Sequence, residues 1–434
     1  METADPGLPA DAKPRALGVR GVLAIGDYRR IFAAQFISDF GDGLTSLALL
    51  LVVNQLTGSL GALAVMAIFL AVPQLTIGIV AGAWVDRLDP RRVMLASDLL
   101  RVALVLGLVV VHSADMVWVL FLLGFLEASV GTFFAPARIT LVATLVPANG
   151  LMAANSLTQG SRIIATVLGT GAAGVLVSLA NASWPAFVVD SGTFLASFLL
   201  LLGVRARREV AVTPAEGAPR PSIRREVREG ISVVARAPKL VATLISASAV
   251  MLGIGAVNVL FVPLLINDLH VSPAWFGALD GAQTIGMIAA AAVLAARLGG
   301  VKPSVIVGVS MGGLAIFVAL LAGVTQVWQV VVLLLLVGLV ITPLQAAVTT
   351  VVQTATEPQV RGRVAALLNS VVSGASIVSM AFAGLAGQFL GVRSVFLLSA
   401  LVVGLGAVTA VILFRRGTEE PLNAPPVMAT GATN

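Results

Sequence analysis

Cysteine is missing altogether from the 434 residues, and histidine occurs only at His112 and His270. The first absence removes disulfides, thiolate metal sites and cysteine nucleophiles. The second leaves no histidine cluster for a metal or a catalytic triad, since each histidine stands alone in a short connection between apolar runs. No G-x-x-x-x-G-K-[ST] phosphate loop occurs, which disfavours a nucleotide-driven pump. Charge is scarce too: 11% of the residues carry it, where a typical soluble domain has about 25%. The chain is filled instead by 58% hydrophobic residues and a further 43 glycines. A water-soluble chain of this size needs far more polar surface to cover its cores. A soluble globular protein is therefore excluded, and disorder with it. The composition leads us to expect no enzyme, no cofactor and no metal. Nor does the net charge of +6 mark a nucleic-acid partner, because nearly every basic residue adjoins an apolar run.

Apolar runs of about 20 residues cross a bilayer core as helices. Twelve such runs are present, at 30–54, 60–85, 92–112, 116–137, 151–179, 184–204, 240–266, 273–297, 303–323, 327–348, 361–388 and 393–414. Basic residues orient them. Lys13, Arg15, Arg20, Arg29 and Arg30 precede the first run, and Arg87, Arg91 and Arg92 follow the second. Arg138, the stretch from Arg205 to Lys239, Arg297 with Lys302, Arg361 with Arg363, and Arg415 with Arg416 complete one face. The opposite connections hold only Arg393, while Arg101 and Arg162 lie inside spans. Both termini are expected in the cytoplasm.

The expected organisation follows. Residues 1–28 form a cytoplasmic tail without the look of a cleavable leader, and 29–204 a bundle of six helices. Residues 205–239 form a cytoplasmic linker whose part from Arg224 to Arg236 reads as an amphipathic surface helix. Residues 240–414 form the second six-helix bundle and 415–434 a cytoplasmic tail. The halves echo one another: Pro147–Leu151–Asn155 before a Gly/Ala-rich span matches Pro358–Arg361–Gly362–Arg363 before another. Parallel six-helix repeats around a central site are a known transporter architecture.

Gly82-Ala-Trp-Val-Asp86-Arg87-Leu-Asp-Pro-Arg91-Arg92, between spans 2 and 3, resembles the G-x-x-x-D-R-x-G-R-R loop of the major facilitator superfamily, with Asp89–Pro90 where one Gly is usual. Phe36-Ile-Ser-Asp39-Phe-Gly41-Asp42-Gly43, Val146-Pro147 through Ala154-Asn155-Ser156-Leu157, Asp190-Ser-Gly-Thr-Phe194 and Arg361-Gly362-Arg363 resemble its macrolide-efflux and siderophore-exporter branch. The likeness covers residues 29 to 414. It implies an all-α integral membrane protein of two six-helix bundles, a bacterial transporter of the cytoplasmic membrane. The G-P-x-x-G-G stretch that drug/proton antiporters of the superfamily carry in span 5 reads Gly169-Thr170-Gly171-Ala172-Ala173-Gly174 here, with Thr for Pro. Around the loop signature, Gly82, Asp86, Arg87, Arg91 and Arg92, with Arg138 and Arg361 as candidate partners, read as a conformational latch on the cytoplasmic face.

Charges inside spans are costly, so each is a functional candidate. They are Asp39 and Asp42 in span 1, Asp98 and Arg101 in span 3, Glu127 in span 4, Arg162 in span 5 and Asp190 in span 6, with Asp280 near the outer end of span 8. At 1.5 Å per residue Asp39 is about 14 Å beyond Arg30 and Glu127 about 16 Å from Arg138, both near the midplane. Asp39 and Asp42 share a helix face with Gln35 and Ser38 nearby. Two carboxylates on one low-dielectric face cannot both ionise cheaply, which suits them to carrying a proton. Asp39, Asp42, Glu127 and Arg162 are the proposed coupling and substrate residues. Asp98, Arg101 and Asp190 form a second tier, with Asp98 and Arg101, at i and i+3, expected to neutralise each other and Asp190 to take nearby hydroxyl partners. Arg162 is expected to pair with Asp98, Asp39 or Glu127. Counting five acids against two arginines, the first half reads as electronegative.

The second half offers Asn258, Gln283, Gln345, Gln353 and Asn369 beside Phe261, Phe276 and Met287. That is the weakly polar wall of a pocket for apolar compounds, although core packing also explains the Phe and Met residues. The expected function is proton-driven export of hydrophobic or amphiphilic compounds by a monomer with alternating access. Its partners are a small-molecule substrate, protons and the lipid bilayer. The alternative is a siderophore exporter or lysophospholipid flippase of the same fold, in which Arg101 and Arg162 would meet anionic cargo.

Overall fold

In a lipid core each backbone amide needs a partner within its own segment, and every run identified above folds as helix. The computed structural model describes residues 17–85, 87–205, 223–297, 301–357 and 360–414. Twelve crossing helices are found among them. They are α1 (Gly26–Thr57), α2 (Leu60–Thr76, continued by Gly78–Val85), α3 (Pro90–Leu108), α4 (Val117–Leu145), α5 (Leu151–Ala180) and α6 (Trp184–Leu202). The second set is α7 (Pro238–Pro263), α8 (Phe276–Arg297), α9 (Pro303–Leu321), α10 (Val327–Thr354), α11 (Arg361–Leu390) and α12 (Val392–Phe414). Ten are long and apolar enough to cross a membrane. The exceptions have local causes. α2 breaks at Ile77, one turn after Pro73, which has no amide to donate. α3 carries Arg91, Arg92, Asp98 and Arg101. Its start explains the Asp89–Pro90 departure from the loop signature: the Asp89 carboxylate accepts from the Arg91 amide as N-cap, and Pro90 occupies the first turn.

The packing repeats. In the first half α1 lies on α5 and α6, α3 on α4 and α6, and α2 on α4. In the second, α7 lies on α11 and α12, α9 on α10 and α12, and α8 on α10. Close approach within a half needs small residues: a Cβ on Gly43 would lie 2.7 Å from the Thr166 carbonyl oxygen, so α1 and α5 meet backbone to backbone. Outside the bundles, the helix Ile223–Arg236 tucks Val234 against Leu240, Val352, Val364 and Leu368.

The halves join through α2 with α11 and α5 with α8. A Cβ on Gly277 of α8 would come 2.5 Å from the Gly171 Cα of α5. Asn54 and Asn267 exchange amide hydrogen bonds of 2.9 and 3.2 Å. The Ser178 and Ser272 hydroxyls are 2.9 Å apart, and Ser178 also accepts from the Ala274 amide at 3.0 Å. All of these lie on the face opposite the one where α1 begins and α12 ends. The halves are thus closed on that far face. In this cysteine-free chain, Ser178→Cys combined with Ser272→Cys is expected to cross-link under mild oxidation, because the two hydroxyl positions are already within reach of a disulfide. A mobility shift on a non-reducing gel checks this; its absence would contradict the closure.

Candidate functional site

Between α1, α2, α3, α4 and α5 the first half encloses a cavity of about 260 Å³. It lies on the terminal side of the far-face closure. Its polar wall is Asp39 and Asp42 of α1, Gln74 of α2, Arg101 of α3, Glu127 and Arg138 of α4 and Arg162 of α5. The i,i+3 spacing of Asp39 and Asp42 puts both on the cavity side, but their neighbours differ. Asp39 accepts from the Gln35 amide at 3.0 Å. Asp42 is ion-paired with Arg101.

Arg101 is the hub. Its side chain is 5% exposed, its Nε donates to Glu127 Oε1 at 2.8 Å, and its Nη2 reaches both Glu127 and Asp42. The guanidinium carbon lies 3.9 Å from the centre of the Phe194 ring, a cation–π contact with α6. A planar fork with several donors can hold carboxylates from two helices at once. One arginine therefore ties α3 to α1, α4 and α6.

Two further acids lie behind this triad, both fully buried. Asp190 accepts from Thr45 at 2.5 Å and from Thr193 at 3.0 Å. It presses on the α1 backbone where Gly41 has no side chain. Asp98 Oδ2 accepts from Ser197 at 2.6 Å, and its Oδ1 has no hydrogen-bond partner among the described residues. The expected neutralisation of Asp98 by Arg101 is thus replaced by a different pairing. The long arginine leaves α3 for α1 and α4, while the short aspartate stays with the α6 serine. Asp190 takes the hydroxyl partners expected of it, with Thr45 of α1 joining Thr193.

The cavity lining itself is closer to balance than the five acids against two arginines of the whole half. Arg138 read from the sequence as the flank of a span ending at 137, yet α4 runs on to Leu145 and carries Arg138 two turns inside. Three carboxylates thus face three guanidiniums. Arg162 faces the cavity near Asp39 and makes no hydrogen bond among the described residues.

The candidates of the loop signature have these positions. Gly82 is within the second segment of α2, and Asp86 lies outside the described residues. Arg87 is exposed. Arg91 donates to the Leu201 and Leu202 carbonyls at 3.2 and 2.9 Å, the end of α6 where a cation meets the helix dipole favourably. Arg92 is 3.6 Å from Asp89. Arg361 donates to the Gln353 carbonyl at 2.7 Å, in the last turn of α10, and to the Thr356 carbonyl at 3.3 Å, just past it.

The repeat places a second cavity, about 470 Å³, between α7, α10 and α11, the counterparts of α1, α4 and α5. Val250, Met251, Leu344, Val348 and Leu368 make it apolar, and Gln345, Gln353 and Asn369 give it sparse polar points. Gln345 follows Pro343 as Arg138 follows Pro136, so the same place is polar in one half and charged in the other. Phe261 and Phe276 pack edge to face, centres 6.2 Å apart, in the core. Asn258 is exposed. Gln283 and Met287 line a cleft of about 430 Å³ between α5 and α8, together with Asp280 and Arg162. No residue pattern signals the Asn54–Asn267 pair, which only the docking of the halves creates.

The profile of the family described as transmembrane secretion effector matches residues 21–427. The chain is 28% identical to the multidrug efflux pump Tap of Mycolicibacterium fortuitum, covering 89% of this chain and 95% of Tap. It is 27% identical to the MFS-type transporter YfiS of Bacillus subtilis (strain 168), over 88% of this chain and 92% of that one. With macrolide efflux protein A of Streptococcus pyogenes it shares 23% identity over 86% and 92% of the two chains. Among solved structures it resembles the nucleoside transporter NupG in fold, with a TM-score of 0.73 at 12% identity over 89% of this chain and all of that one.

Proposed function

Since this chain belongs to the transmembrane secretion effector family of the major facilitator superfamily, and is a multi-pass membrane transporter, we propose that it exports hydrophobic or amphiphilic small molecules in exchange for protons. The Asp42–Arg101–Glu127 triad, with Arg101 and Glu127 buried and Asp42 partly exposed to the cavity, carries this reading. A proton arriving on Glu127 or Asp42 removes one of the charges that hold Arg101. The grip of α3 on α1 and α4 then loosens, so protonation and helix packing are linked through one guanidinium. The apolar cavity of the second half suits the greasy body of a substrate. The efflux roles named for Tap and macrolide efflux protein A agree in direction.

The protein resides in the cytoplasmic membrane with both termini inside, so closure on the far face makes this conformation inward-facing. Ser113→Cys and Ser272→Cys are expected to react with an impermeant thiol reagent in intact cells, while Lys302→Cys is protected until the cells are opened. The reverse pattern refutes the orientation. Transport itself is tested with purified protein in liposomes under an imposed pH gradient and a panel of neutral and charged hydrophobic compounds. The proposal expects uphill movement that collapses with a protonophore. Uptake indifferent to the gradient across the whole panel would remove proton exchange.

A further inference from the structure

At the closed far face α7 changes its winding. Its last α-helical residue is Pro263, which has no amide to donate. The next five residues, Leu264–Asp268, wind as a π turn, the Leu269 amide donating to the Leu264 carbonyl at 3.0 Å. A π turn holds one residue more than an α turn, and such turns are rare and recur at functional sites. Leu264 and Leu265 are buried in the core shared with Phe276 and Phe396, which fixes where the turn begins. Just beyond it His270 has φ 53°, in the left-handed region that favours glycine.

The extra residue decides which side chains meet. An α-helix advances about 100° per residue, so regular winding would rotate everything after Leu265 by roughly one residue position. With the π turn in place, Asn267 exchanges its two hydrogen bonds, 2.9 and 3.2 Å, with Asn54 of the first half. Its neighbour Asp268 lies 3.7 Å from Arg393 of α12, which donates to the Ala322 carbonyl at the end of α9 at 3.1 Å. Adjacent residues are thus tied to opposite halves. Wound as α-helix, the same stretch would turn Ile266 toward Asn54 and Asn267 toward Arg393. Asn54 is buried, so an isoleucine opposite it leaves the amide unpaired and the closed face less stable.

We propose that the π turn Leu264–Asp268 is the moving part of the far-face gate: rewinding it to α-helix replaces Asn267 by Ile266 opposite Asn54 and releases the two halves. The connection Leu269–Ser272 takes up the residue that the turn sheds. Asn54, Ile266 and Asn267 are positioning residues, and none of them lines the two half cavities or the α5–α8 cleft. Opening by this route is independent of the cargo and of the coupling ion.

The test reads the distance across the far face in the purified full chain by double electron–electron resonance. Spin labels are attached at Ser113→Cys in the first half and Thr325→Cys in the second, both exposed positions. Wild type is expected to show the short distance of the closed face and a smaller, longer-distance population. Asn267→Leu and Asn54→Leu should each raise the longer population roughly threefold or more, the scale of a lost hydrogen bond. The double variant should go no further than either single one, because the two amides act as one pair. Deleting Ile266 removes the extra residue yet keeps Asn267 opposite Asn54 in a regular α turn. That variant should show the short distance alone. Pro263→Ala restores the missing amide and favours α winding of the intact segment, so it should shift the population the opposite way, toward the longer distance. A turn that only holds the fold together predicts no such opposed shifts. A longer distance that persists in the Ile266 deletion, or a distribution unchanged by Pro263→Ala, overturns the rewinding. If the deletion does not fold, Pro263→Ala decides alone. No pH gradient enters these measurements, so a failure of proton exchange leaves their result standing.

Discussion

Arg101→Met is expected to destabilise the protein by about 3–5 kcal/mol, because the buried Glu127 carboxylate loses its cation, while the partly exposed Asp42 adds little. The triad crosses three helices, so the effect falls on the packing of α1, α3 and α4 together. The measurement is thermal unfolding in detergent alongside the yield of folded protein. A charge-neutral triple variant, Arg101→Met with Asp42→Asn and Glu127→Gln, is expected to regain most of the loss. Removing a whole buried ion group costs far less than orphaning one member. It should fold and still fail to couple transport to protons. Arg101→Lys falls between, since an ammonium keeps the charge but cannot fork to both acids. A stable Arg101→Met protein would mean that Asp42 and Glu127 are not held by this arginine.

Glu127→Gln is expected to abolish gradient-driven export while downhill substrate movement continues. The glutamine carbonyl keeps an acceptor where Glu127 Oε1 takes the Arg101 Nε hydrogen bond, so the fold holds, while the side chain is fixed in the neutral, loosened state and can no longer take up or release a proton. Asp42→Asn should act in the same way. Asp39→Asn should be milder, because Asp39 stands apart from the triad with Gln35. If these acids served only to attract cationic cargo, the outcome would differ: cationic substrates would be lost while neutral ones remained proton-driven. Efflux of one neutral and one cationic compound in each variant separates the two. Unchanged gradient-dependent efflux of both by Glu127→Gln would take Glu127 out of the mechanism and turn attention to Asp190 and Asp98.

The candidate site was partly legible in the sequence. Asp39, Asp42, Glu127 and Arg162 stood out as charges in apolar surroundings, and all four border one cavity. Arg138 did not stand out, because an arginine at the end of an apolar run has the look of a membrane flank. The residues beyond it, Ile139 to Leu145, continue the helix, and this places the arginine within the bundle at the cavity wall. The pairing of Asp98 with Ser197 rather than Arg101 was equally hidden. Spacing along α3 reports which residues share a face, not which neighbouring helix that face meets.

By itself the sequence determined how many times the chain crosses the membrane and that its ends lie on one face. Spanning depends on the local sum of apolar residues in each run, and orientation on the basic residues beside them, so both are additive along the chain. Only the tertiary structure decided which acids share Arg101, that Arg138 enters the cavity, and which face is closed. Those outcomes depend on the rotation and crossing of helices far apart in the chain. They are set by backbone approaches at Gly43 beside Thr166 and Gly277 beside Gly171 and by the Asn54–Asn267 exchange, contacts between positions that no local pattern connects.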